Sequence, residues 1–219
     1  MKRYSFFIPP KYIFYDRSIR DKYTIIRITI GIIAFLNIST LQEDLANSEI
    51  PAGNIKLSIY VDKMSRVFIQ TVDRMQSFIF PFSIRVVGNH YQVFFEQDIL
   101  TSSICSVLSS TFQNISEASS IDTVIDQYWE SLADLNVPQA DINLCNKVLI
   151  YLLSFEPGYL RYDHDVLREK KRVHPVDHID VNYSNEGTFK LGLNDSINLE
   201  CLIKILDLRE SCPTILLNM

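Results

Sequence analysis

Apolar residues recur along this chain with two different periods, and the period changes near residue 98. Before that point alternation dominates. Ile55–Tyr60 reads I-K-L-S-I-Y, which predicts a half-buried strand because successive strand side chains point to opposite faces. Val67–Val72 alternates again, and Ile84–Val87 and Tyr91–Glu96 flank Gly88-Asn89, a hairpin signature. Part of 55–80 also fits a helix, since Met64, Phe68, Val72 and Met75 recur at helical spacing. Thr24–Ile38 is apolar without a clear period. It reads either as a strand pair broken near Gly31 or as a core helix. Residues 1–20 mix aromatic, basic and proline residues and read as an extended arm or an edge strand. Asn47–Asn54, with Pro51 and Gly53, reads as a loop.

From about Asp98 the period lengthens. Ile99, Leu100, Ile104, Val107 and Leu108 share one helical face. Ser119 reads as an N-cap with Asp122 at the third helical position. Ile121, Val124, Ile125, Tyr128, Trp129 and Leu132 then follow the 3.6-residue period. Pro138 and Asp141 open another helix, carrying Ile142, Cys145, Val148, Leu149 and Leu152, and Glu156-Pro157-Gly158 ends it. Strands are predicted over 159–163, 178–183 and 188–192, the last two joined by a turn at Ser184-Asn185-Glu186-Gly187. A final helix over 196–208 turns Leu199, Leu202, Ile203 and Leu206 inward. The expected class is α+β: a mostly antiparallel sheet with helices packed on one face. The expected organisation is one domain over 1–219, with an N-terminal arm at 1–20, a helical segment at 98–155 and a three-strand-plus-helix unit at 159–208.

Composition narrows this picture. The 219 residues are 47% hydrophobic and 21% charged, the balance of a folded chain. A net charge of −5 argues against nucleic-acid binding through the overall field, though not through a local patch. The four cysteines form no C-x-x-C pair, and three of them read as small core residues in helical patterns. No secretory signal is read at the N-terminus, so a cytoplasmic setting is expected. The apolar run at 24–38 is shorter than the ~20 residues a membrane span needs, and Arg27 interrupts it, so no membrane association is expected.

Chemistry concentrates between Arg161 and Gly192. Strand alternation places Arg161, Asp163, His178, Asp180, Asn182 and Lys190 on one polar face, with Thr188 beside Lys190 and His174 at the rim before Pro175. Leu160, Tyr162, Ile179, Val181, Tyr183, Phe189 and Leu191 point the other way. His174, His178 and Asp180 are the candidate ligands for a divalent metal, or an acid–base group working near neutral pH. Arg161 and Lys190 suit phosphate charge. The loop bearing Arg168, Lys170, Lys171 and Arg172 suits a nucleic-acid backbone. The same face also fits a solvated sheet surface, held by cross-strand pairs of Arg161 or Lys190 with Asp180. Pro175 excludes the helical i, i+4 geometry of zincin histidines. His90 reads as a turn residue.

The residues Arg161, Tyr162, Asp163, Asp165, His174, Pro175 and His178, followed by a hairpin and a closing apolar helix, resemble a family of uncharacterised bacterial proteins. Those carry an R-[FY]-D-x-D strand followed by H-P-x-x-H over about the last sixty residues. The resemblance implies a bacterial cytoplasmic protein of a phage-defence or toxin–antitoxin locus, with a protein partner encoded nearby, and it supplies no reaction. The expected function is a component of such a system, acting on nucleic acid or a partner protein through the His/Asp face. If it is an enzyme, the reaction is metal-assisted or His/Asp acid–base phosphodiester hydrolysis. The competing class is a non-catalytic interaction subunit whose aromatic N-terminal arm docks a partner. It calls for a contiguous exposed apolar patch.

Overall fold

In a computed structural model the described residues form a seven-stranded antiparallel sheet, a smaller three-stranded sheet and five α-helices. The structure describes all residues except 1, 14, 16–18, 42–44, 46–47, 62–63, 171–172, 184–188, 208 and 212–219. The predicted turn at 184–187, Thr188, Lys171, Arg172 and Cys212 therefore lie outside the described residues.

The large sheet runs in the order β1 (Lys2–Ile8), β2 (Ile55–Val61), β3 (Arg66–Gln70), β4 (Arg74–Ile79), β8 (Leu160–His164), β9 (Asp177–Val181) and β10 (Phe189–Gly192). The small sheet is β5 (Ser83–Val87), β6 (His90–Phe95) and β7 (Asp98–Ile99). The N-terminal stretch is thus an edge strand paired with β2, from Lys2 against Val61 to Ile8 against Ile55. Phe6 and Tyr15 of this stretch are buried, whereas Tyr12 stands 49% exposed. The helical alternative for 55–80 fails. Phe68 and Met75 lie on β3 and β4, while Val72 stands exposed in the turn between them.

Thr24–Ile38 resolves as a helix. The helix α1 (Lys22–Ile38) is capped by Asp21, whose carboxylate accepts the Thr24 N–H at 2.8 Å. It is surrounded on nearly every side. The large sheet covers it through contacts such as Phe6 with Phe35, with ring centroids 5.3 Å apart. β6 and α2 (Ser102–Phe112) cover it elsewhere. That burial explains the missing period: a helix with no solvent face has no polar stripe. Arg27, inside this run, donates to the carbonyls of Phe112 (3.3 Å) and Ile115 (2.7 Å), the end of α2 and the turn after it. Behind α2 lie α3 (Ile121–Asp134) and α4 (Gln139–Ser154).

Several expected boundaries shift, and the final helix runs Leu199–Leu206 rather than 196–208. Ile99 belongs to β7, and α2 begins after the Thr101 N-cap. Ser120, not Ser119, caps α3, its hydroxyl accepting the Thr123 N–H at 3.2 Å. Cys105 and Cys145 are buried as expected, whereas Cys201 is exposed.

The two faces of the large sheet are packed differently. One face meets α1 through Phe6, Leu57, Ile59, Val67, Ile69 and Phe78. The other meets α5 (Leu199–Leu206), where Leu202 is fully buried against Tyr60, Phe68, Met75, Tyr162 and Ile179. β2 is covered on both sides, so all seven of its residues are buried rather than every second one. No helix among the described residues is long and apolar enough to cross a membrane.

Candidate functional site

Four strands build the site. The register sets two rows across the α1-facing side of β4, β8, β9 and β10. One is Arg74, Asp163, His178 and Gly192; the other is Gln76, Arg161, Asp180 and Lys190. Aligned cross-strand neighbours on one face have Cβ atoms about 5 Å apart, so long polar side chains in these rows must meet. The two rows continue the apolar face of β1–β3, and the polarity begins where the main core ends.

The contacts form a closed network. Arg161 Nε donates to Asp163 Oδ2 at 2.8 Å, and its Nη2 donates to Asp180 Oδ2, so one guanidinium spans two carboxylates. Arg74 Nε donates to the other Asp163 oxygen at 2.6 Å. Lys190 Nζ donates to Asp180 Oδ1 at 2.6 Å. Asp163 and Asp180 are nearly inaccessible, with side chains 8% and 7% exposed, while Lys190 and Arg74 keep 31% and 23%. The acids lie beneath and the cations reach outward.

His178 sits fully buried in the middle. Its Nδ1–H donates to the Pro175 carbonyl at 2.9 Å, which leaves Nε2 as an acceptor 3.0 Å from the Lys190 ammonium. Nε2 also lies 3.7 Å from Asp163 and 4.0 Å from Asp180. Burial, followed by the adjacent Lys190 charge, pushes the His178 pKa below its ordinary value, so the ring is neutral. Gly192 makes this arrangement possible. A Cβ there would stand 2.9 Å from Pro175 Cγ, so only glycine lets the His174-Pro175 turn settle onto His178.

Five of the expected residues therefore converge: Arg161, Asp163, His178, Asp180 and Lys190. His174 does not join them. Its ring stacks edge-on against His178, with centroids 4.6 Å apart, but its Nε2 is directed at Asp165, 3.4 Å away. Asp163 takes the place expected for His174: the ligand atoms of Asp163, His178 and Asp180 lie within 4.8 Å of one another. Asn182 also departs. The strand ends at Val181, Asn182 adopts φ +72°, and its side chain accepts its neighbour Tyr183's N–H. That turn sends Tyr183 to Tyr159 and the α1-side core instead of the α5 side. Phe189 is exposed, not packed on a helix. His90 opens β6 opposite Val87, in keeping with a turn residue.

Sequence reasoning missed Arg74, Gln76, Tyr15 and Tyr159. Tyr159 donates to Gln76 Oε1 at 2.9 Å and Gln76 Nε2 donates to Tyr15 at 2.5 Å, extending the polar row into the core. The signal was the alternation R-x-Q in Arg74-Met75-Gln76.

A divalent ion would find a suitable donor set in one nitrogen and two carboxylates. Arg161, Arg74 and Lys190 already neutralise those carboxylates, so an ion fits only in exchange for the Lys190 ammonium. Comparison with protein-family models, curated proteins and solved structures found no match to this chain.

Proposed function

We propose that the β8–β10 face binds the phosphate backbone of a nucleic acid. In this reading the chain is the nucleic-acid-directed component of a bacterial phage-defence or toxin–antitoxin-type locus, in the cytoplasm. The setting rests on the R-Y-D … H-P-x-x-H resemblance. The surface rests on one observation: three cations are held by two buried carboxylates around a neutral histidine, leaving a net positive cluster whose exposed tips are Lys190 and Arg74. Rigidly anchored cations lose little freedom on meeting a phosphate. The exposed loop beside the cluster adds Arg168 and Lys170.

The test is fluorescence anisotropy with labelled single-stranded RNA, single-stranded DNA and duplex DNA. Binding should weaken steeply with salt. Lys190→Ala should weaken it for every sequence and lower the log–log salt slope by about one contact. If none of the three strands binds in a salt-dependent way, the reading is wrong.

A second reading, metal-assisted phosphodiester hydrolysis, draws on the 4.8 Å grouping of Asp163, His178 and Asp180. A divalent ion bound there would activate a water. Arg161 would offset phosphate charge. Cleavage of the same strands that needs Mn2+ and disappears in Asp180→Asn would select it.

A further inference from the structure

We propose that the outer surface of α3 and α4 docks a basic amphipathic helix from another protein chain. The α3 pattern has six apolar residues on the helical period, yet only half of them are used by the core. Val124, Tyr128 and Leu132 are buried, whereas Ile121, Ile125 and Trp129 are 53%, 37% and 56% exposed. Those three are spaced i, i+4, i+8, a continuous stripe about 12 Å long.

The stripe borders α4. Tyr128, whose ring lies 5.6 Å from that of Trp129, donates its hydroxyl to Asn146 at 2.7 Å. Ile150 is one turn beyond Asn146 on that side of α4 and is 65% exposed. At the other end Ile121 lines a cavity of about 250 Å³ with Tyr23, Leu153 and Tyr183. Apolar side chains on two adjacent helices, closed by a hollow at one end, form a seat for a helix.

Charge identifies the occupant. Asp122, Asp126 and Glu130 each follow a stripe residue by one position, so they form a parallel acidic row about 100° around the helix. Asp122, Asp126 and Asp134 make no ion pair among the described residues. The segment from Thr101 to Glu156 carries seven carboxylates and one lysine, Lys147, against a net charge of −5 for the whole chain. The helical unit thus has a net charge of −6, and the rest of the chain sums to +1. A second copy docked face to face would set acid against acid, and nucleic acid is repelled. A helix with leucine-like residues at i, i+4 and i+7, flanked by Lys and Arg, satisfies both stripe and row. This surface shares no residue with the β8–β10 face, so the inference stands apart from the nucleic-acid reading.

Trp129 is the chain's single tryptophan, so its emission reports on this surface alone. The experiment titrates the full chain with a synthetic helix of about 14 residues, built of leucine and lysine with the leucines on one face. Two control peptides accompany it: the same composition with alternating leucines, and a leucine–glutamate helix. A saturable blue shift is expected with the first peptide only. Ile125→Asp, at a partly exposed position, should weaken binding by about tenfold or more. The triple reversal Asp122→Lys, Asp126→Lys, Glu130→Lys should transfer preference to the leucine–glutamate helix. Thermal melts confirm that the variants fold. Absence of a shift, an equal response to the alternating peptide, or unchanged affinity in both folded variants would overturn the proposal. A shift produced by raising protein concentration alone would also overturn it and assign the surface to a second copy of the chain.

Discussion

Arg161 links the two buried carboxylates, and removing it leaves Asp163 with Arg74 alone and Asp180 with Lys190 alone in a nearly dry setting. Breaking a buried pair on one side is far costlier than the pair is worth, typically 3–5 kcal/mol. Because each acid keeps a second cation, Arg161→Ala is expected to lose at most about that much stability in urea denaturation. Arg161→Lys should recover little of it, because one ammonium lacks the fork needed to span both acids. His178 gives a pH signature. Its folded pKa is depressed below the unfolded value of 6.5, so the unfolded chain binds the extra proton first. Its contribution is whole above that pH and is lost as pH falls below it. The melting-temperature difference between wild type and His178→Gln should thus shrink from pH 7.5 to pH 5.5; a constant difference would show that the ring does not titrate on unfolding. The sequence placed His178, Asp180, Arg161, Asp163 and Lys190 on one face because strand alternation is strict. It grouped His174 with them, whereas the ring turns to Asp165, because loop geometry before a proline depends on a contact, Pro175 on Gly192, that alternation does not encode.

At the scale of elements, legibility tracked solvent. The β5–β6 hairpin and helices α3, α4 and α5 were readable, since each shows water one face or ends in recognisable turn and cap residues, and β2 was readable from its alternation although both its faces are covered. Strand β4 was not: its Arg74 and Gln76 are polar residues turned into the sheet network, and Met75 between them fitted a helical spacing instead. Helix α1 was ambiguous for the opposite reason, being buried all round. Its Gly31 is a contact requirement, since a Cβ there would stand 2.8 Å from Ile13 Cα in the short 3-10 turn Pro10–Ile13. Alanine normally favours a helix by about 1 kcal/mol over glycine. Here Gly31→Ala should instead destabilise, by about 1–3 kcal/mol, as overpacked cores do. A rise in melting temperature would contradict that packing.

On the scale of the whole molecule, the large sheet carries a core on each side. Leu202 is the fully buried anchor of the smaller one. Leu202→Ala should cost about 2–5 kcal/mol and expose the α5 side. Amide hydrogen exchange should then rise first in β8–β10 and α5, with β1–β3 and α1 protected. Uniform acceleration would mean that the two cores are a single cooperative unit. One consequence of the sheet order concerns time. Arg74 and Asp163 lie side by side, yet they are 89 positions apart along the chain, with the small sheet and α2–α4 between them. Closing so long an excursion is slow and comes after local hairpins and helices have formed. The contacts of Arg161, His178, Asp180 and Lys190 are local to β8–β10, so the step expected to come late is the docking of Arg74 on Asp163. Arg74→Ala should then leave the refolding rate nearly unchanged and shorten the lifetime of the native state, so that the seam between β4 and β8 is the first to part and the last to close.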